Sequence, residues 1–69
     1  MNRTPVSSSN VAEIGYDAST MTLEVAFHDG SVYQYFDVPD RVYQEFMRAA
    51  SKGKFLHANI TNNFRYTKI

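Results

Sequence analysis

A chain of 69 residues with 43% hydrophobic and 14% aromatic content can fill one small core and is too short for two. It contains no cysteine, which excludes a disulfide framework and a thiolate metal site and leaves aromatic and aliphatic burial to hold the fold together. Seven basic residues balance seven acids, yet residues 46–69 carry Arg48, Lys52, Lys54, Arg65 and Lys68 without a single acid, an asymmetry that points to a polyanionic or acidic partner for that half.

No stretch approaches the roughly 20 apolar residues that cross a bilayer, and the N-terminus lacks the apolar middle of a secretory signal. The expectation is a cytoplasmic protein with no membrane partner. Residues 1–9, polar and rich in serine with one proline, predict a flexible lead-in, which leaves 10–69 as a single domain. "VAEIGYD" (11–17) alternates with Ala12, Ile14 and Tyr16 on one side, as a first strand ending in the turn "DAST". "MTLEVAF" (21–27) alternates more cleanly and predicts a second strand with Met21, Leu23, Val25 and Phe27 on its packed face. "HDGS" then supplies an Asp-Gly hairpin signal before the third strand, "VYQYFDV" (32–38).

The register of that hairpin decides where Tyr33 and Tyr35 point. A two-residue loop at Asp29-Gly30 pairs Val25 with Gln34 and exposes both tyrosines. A three-residue loop with Gly30 in a left-handed bulge position pairs Val25 with Tyr33, Leu23 with Tyr35 and Glu24 with Gln34. The second register is expected, because the first buries an unpaired amide at a cost of about 1–3 kcal/mol. It makes both tyrosines core-facing, with hydroxyls reaching the rim.

"VPDRVYQEFMRAAS" predicts a helix over about 39–51. Pro39 suits its first position, Asp40 its first turn, and Gly53 a left-handed stop beyond its end. Its apolar stripe is Val42, Phe46, Ala49 and Ala50, widened by Tyr43 and Met47. "KFLHANI" (54–60) predicts a shorter helix with Phe55, Leu56 and Ile60 inward, and 64–69 reads either as a last short strand or as an extended strap. The fold class is therefore α+β: a three-stranded antiparallel meander, with or without a fourth C-terminal strand, covered by one longer and one shorter helix.

Little in the chain carries catalytic chemistry. Its two histidines are far apart, no Cys, His or carboxylate cluster has metal-ligand spacing, and its three glycines are isolated. The serines at 7–9 lie on no positioned turn. The expectation is a non-enzyme without metal or cofactor. The strongest functional signal is the interleaving of cations and rings between Arg48 and Lys68, the pairing that single-stranded nucleic-acid binders use. Arg48, Lys52, Lys54, Arg65 and Lys68 would meet phosphates, while Tyr66 or an exposed Tyr35 would stack a base. The rival expectation is a protein-interaction or homo-oligomerisation domain that pairs a strand edge or joins acidic and basic faces.

The ordered set Ile14-Gly15-Tyr16-Asp17, "LEVAF", Gly30, Tyr33-Gln34-Tyr35, Val38-Pro39 and "AASKGKFLHANI" (49–60) resembles the KTSC domain, a bacterial family of small proteins also found at the C-terminus of some lysyl-tRNA synthetases. The resemblance covers nearly all of the chain beyond residue 7. It places the family's Tyr-x-Tyr at Tyr33 and Tyr35, and its Ser-x-Gly-x-Phe at Ser51, Gly53 and Phe55. The family has no established activity, and by association with a tRNA synthetase the resemblance implies a binding role toward RNA.

Overall fold

The computed structural model describes residues 1–69. Five strands, β1 (Arg3–Pro5), β2 (Val11–Asp17), β3 (Thr22–Phe27), β4 (Val32–Tyr35) and β5 (Tyr66–Lys68), form one antiparallel sheet in the order β1-β2-β3-β4-β5. Each strand thus lies beside its neighbour in sequence, and the whole sheet is a meander. Helix α1 (Asp40–Arg48) and a second helical segment lie between β4 and β5 in sequence. The second segment begins as α2 (Lys52–Phe55) and widens into a π-type turn, Leu56–Ile60, in which the Thr61 amide donates back to the Leu56 carbonyl at 2.9 Å.

The β3–β4 hairpin adopts the expected bulged register: Val25 pairs with Tyr33, Leu23 with Tyr35 and Glu24 with Gln34. Gly30 has φ +93°, the conformation a side chain would strain, and its amide donates to the Phe27 carbonyl. Tyr35 is consequently a core residue, 4% exposed. The core joins Val11 and Ile14 of β2, Leu23 and Val25 of β3 and Tyr35 of β4 to Val38, Phe46, Leu56 and Ile60. Phe46 and Phe55 stack with ring centroids 5.5 Å apart, which ties the two helices together over the sheet.

Four expectations are corrected. The sheet has five strands rather than three or four: within residues 64–69 the strand alternative holds, as β5, and the unexpected addition is β1, from the segment read as a flexible lead-in. That strand forms because Arg3, Thr4 and Pro5 lie opposite Gly15, Ile14 and Glu13, and the glycine leaves room for the strand to cross. An added Cβ at Gly15 would stand 2.8 Å from the Asn2 carbonyl oxygen and 2.9 Å from Arg3 Cγ. In β2 the register shifts between Val11 and Glu13, so Val11 rather than Ala12 joins Ile14 on the packed face. The first helix stops at Arg48, with Ala49 extended (ψ 137°), and Ser51 caps the second by accepting from the Lys54 amide at 3.3 Å. Gly53 therefore lies inside the second helix and terminates nothing. It is small because an added Cβ would stand 2.8 Å from Asn10 Oδ1.

Candidate nucleic-acid interface

The expected register puts Phe27, Tyr33 and Tyr35 on the helical face, and β5 adds Tyr66 opposite Tyr35. The four rings form one cluster. Phe27 meets Tyr33 edge-on at 5.8 Å, and Tyr66 lies 5.8 Å from both Tyr33 and Tyr35. The cluster lines an open cleft of about 410 Å³ together with Leu56 and His57 of the second helical segment and Thr61 just beyond it. Tyr66 is 56% exposed and offers its ring to solvent. Burial holds the Tyr35 hydroxyl above the ordinary tyrosine pKa, with the Thr61 hydroxyl opposing that shift.

A second cavity of about 410 Å³ adjoins the first, sharing Asn10 and Gly53 with it. Its lining is almost entirely polar, with Ser7, Ser8 and Ser9 facing Ser51, Lys52 and Lys54. The serine segment is tied down at several points. His28 Nε2 lies 3.0 Å from the Ser8 carbonyl oxygen, the Val11 amide donates to Ser8 Oγ, and Ser8 Oγ donates to Asn10 Oδ1 at 3.2 Å. Side by side, the two cavities make a groove with an aromatic end and a cationic, hydroxyl-rich end.

The expected site residues divide. Lys52 and Lys54 line the polar cavity, the Lys52 ammonium donating to the Ala49 carbonyl at 2.6 Å. Tyr66 lines the aromatic cleft, and Lys68 lies beside it, opposite Tyr33 on β4. Arg65 faces elsewhere: it pairs with Asp37 at 2.9 Å and covers the Phe36 ring at 5.5 Å. Alternation along β5 puts it on the opposite side of the sheet from Tyr66. Arg48, exposed in the last turn of α1, lines neither cavity. Tyr35 lines the cleft but is too buried to present its ring as a platform, which corrects the expectation of an exposed Tyr35. The five cations thus form no single patch: Lys52 and Lys54 line the groove, and Lys68 lies outside its lining, two residues beyond Tyr66 on β5.

One carboxylate also borders the cleft. Asp29 accepts from the Ser31 hydroxyl at 2.6 Å and the Ser31 amide at 2.9 Å. Those two bonds, aided by the charge of Lys68, hold its pKa below the usual aspartate value. No three His, Asp or Glu side chains converge as metal ligands would, and no helix is long and apolar enough to cross a membrane.

Sequence reasoning missed Asn10, Ser7–Ser9, His57 and Thr61 as groove residues. A signal existed for the aromatic cleft, because the correct register already gathers Phe27, Tyr33 and Tyr35. None existed for the serines, which are brought to Lys52 and Lys54 only by tertiary packing.

The sequence and the fold both have known counterparts. The model of the KTSC domain matches residues 7–64. The chain is 41% identical over 61 residues to a lysine–tRNA ligase of Trichormus variabilis, a match covering 88% of this chain and 11% of that protein. It therefore spans about a tenth of that relative's length. It is 36% identical over 70 residues to an uncharacterized protein of Stutzerimonas stutzeri, covering 100% of this chain and 99% of that protein. The crystal structure of a KTSC domain protein from Yersinia pestis aligns with a TM-score of 0.93 at 46% identity, over 99% of this chain and 96% of that one. With family match, whole-length relatives and fold in agreement, this chain belongs to the KTSC domain family.

Proposed function

We propose that the domain is a noncatalytic module that binds single-stranded RNA along the groove. The observation that carries this reading is the junction of an exposed aromatic cleft with a polar cavity bearing Lys52 and Lys54. A base stacked on Tyr66 leaves its backbone phosphate free to turn toward the lysines and serines past Asn10. Stacking on aromatic rings supplies sequence-tolerant affinity of about 1–3 kcal/mol per base, and the lysines supply a salt-dependent contribution. Relatives named as lysine–tRNA ligases put tRNA in the setting of similar domains, which favours RNA over other polyanions. The site residues of this reading are Tyr66, Lys52, Lys54 and Lys68, with Arg48, Arg65 and Tyr35 set aside on geometry.

Titration of the labelled protein with a short single-stranded RNA and with a tRNA, followed by proton–nitrogen NMR, tests the reading. The expected result is salt-sensitive shifts at Lys52, Lys54, His57, Thr61 and Tyr66. A Lys52→Glu, Lys54→Glu double variant should bind at least about tenfold more weakly. Its melting temperature should fall by only about 4–8 °C, because Lys54 is exposed and the main loss is the part-buried hydrogen bond from Lys52 to the Ala49 carbonyl, about 1 kcal/mol. Unchanged spectra at millimolar RNA and low salt overturn the proposal.

A further inference from the structure

The sheet has two edges, and their backbones differ. On β1, Thr4 pairs with Ile14 and the Val6 amide donates to the Ala12 carbonyl. The even-numbered residues therefore bond inward, and the outward groups belong to Arg3 and Pro5. Proline has no N–H, so that edge lacks a donor at its C-terminal end and is blunted against further pairing. On β5, the Arg65 carbonyl accepts from Phe36 and the Ile69 amide donates to Val32, so the odd-numbered residues bond inward to β4. The N–H and C=O groups of Tyr66 and Lys68 point outward with no partner in the chain. The edge is also apolar at Tyr66, 56% exposed.

We infer that the β5 edge is a self-association surface, on which a second copy of this chain pairs its own β5 antiparallel about a two-fold axis through Thr67. The register follows from charge and hydrogen bonding. With Thr67 on the axis, Tyr66 of each copy lies opposite Lys68 of the other, and the two residues exchange both backbone bonds. All four outward N–H groups then find acceptors. Each ammonium meets the face of a tyrosine ring of the other copy, a favourable cation–π contact. Sliding the register by two residues in one direction sets Lys68 against Lys68 and loses this complementarity; sliding it in the other sets Tyr66 against Tyr66 and leaves the lysines unmatched. The strand is thus self-complementary in one register, which favours a second copy over an unrelated peptide as occupant. An axis normal to the sheet keeps both helical layers on the same side, so the two aromatic clefts come to flank the axis and share one face.

Three measurements without nucleic acid test this apart from the RNA reading. Light scattering and sedimentation over a concentration range reaching millimolar should show a reversible monomer–dimer equilibrium. Lys68→Pro removes one outward N–H per copy while leaving the inward bonds to β4 in place, and it should weaken dimerisation at least about tenfold. An unchanged Gln34 amide resonance will show that β5 remains docked. Thr67 and Thr67 of the second copy form a non-hydrogen-bonded pair with Cα atoms about 4.5 Å apart, within disulfide reach. Thr67→Cys should therefore crosslink much faster than Lys68→Cys under mild oxidation. A monomer throughout the range, a dimer indifferent to Lys68→Pro, or equal crosslinking at 67 and 68 overturns the inference.

Discussion

Strand β3 is buried on both faces, and the two burials rest on different physics. On the helical face Leu23 and Val25 lie among Ile14, Phe46 and Ile60, where hydrophobic transfer and close packing stabilise the contact. On the other face Glu24, 8% exposed, accepts from Gln34 Nε2 at 2.8 Å and lies 3.6 Å from Arg3 Nε. Arg3 also approaches Glu13 at 3.4 Å, passing beside the bare backbone of Gly15. The network is complete: no buried side-chain nitrogen or oxygen lacks a partner. The lesson is that the helical face makes the domain stable, whereas the polar face decides whether one short strand docks.

Substitutions can break or sharpen that contrast. The largest effect is expected from Phe46→Ala, which empties the centre of the helical face and should cost about 3–5 kcal/mol. That is comparable with the whole stability of a domain this small, so a thermal melt followed by circular dichroism should find the variant largely unfolded. Gly15→Ala should cost about 1–3 kcal/mol by overpacking against the Asn2 carbonyl and Arg3. Amide exchange should accelerate selectively in β1 and its β2 contacts while β3 and β4 stay protected. Equal loss of protection across all five strands would show that the two faces are not separable.

The smallest effect probes the rim of the helical face. Tyr16 stacks on Tyr43 at 4.6 Å and donates from its hydroxyl to the Val38 carbonyl at 2.5 Å. Burial, followed by the charges of Asp40 and Asp17, holds its pKa above the usual 10.0. The folded protein therefore retains this proton at a pH where the unfolded chain has lost it. The associated stability is complete below the unfolded pKa and disappears as pH rises through the folded one. Tyr16→Phe should cost about 1 kcal/mol at neutral pH and should flatten the alkaline decline of stability. Denaturant titrations at pH values on both sides of 10 measure both. Some slope should survive from Tyr35, whose pKa is raised in the same direction.

Legibility of the fold followed the range of the interactions involved. The β3–β4 register could be read from the chain because Gly30, the alternation of Leu23, Val25 and Phe27, and the mismatch of a buried Gln34 all act within a few residues. The α1 stripe was legible for the same reason, through Phe46 with Val42 and Tyr43 beside it. The end of α1 was not. Gly53 resembled a local terminator, and its real constraint is Asn10, forty-three positions away in sequence.

The same division holds for the groove. By itself the sequence determined the α+β class, the hairpin, the gathering of Phe27, Tyr33 and Tyr35 on one face, and the concentration of cations beyond residue 46, because all of these are properties of local pattern and composition. Only tertiary structure decided that residues 3–5 pair as a strand, that Ser7–Ser9 come to face Lys52 and Lys54, and that Arg65 turns away to Asp37. Those outcomes depend on which distant backbone lies alongside, and short polar segments carry too little hydrophobic pattern to announce it.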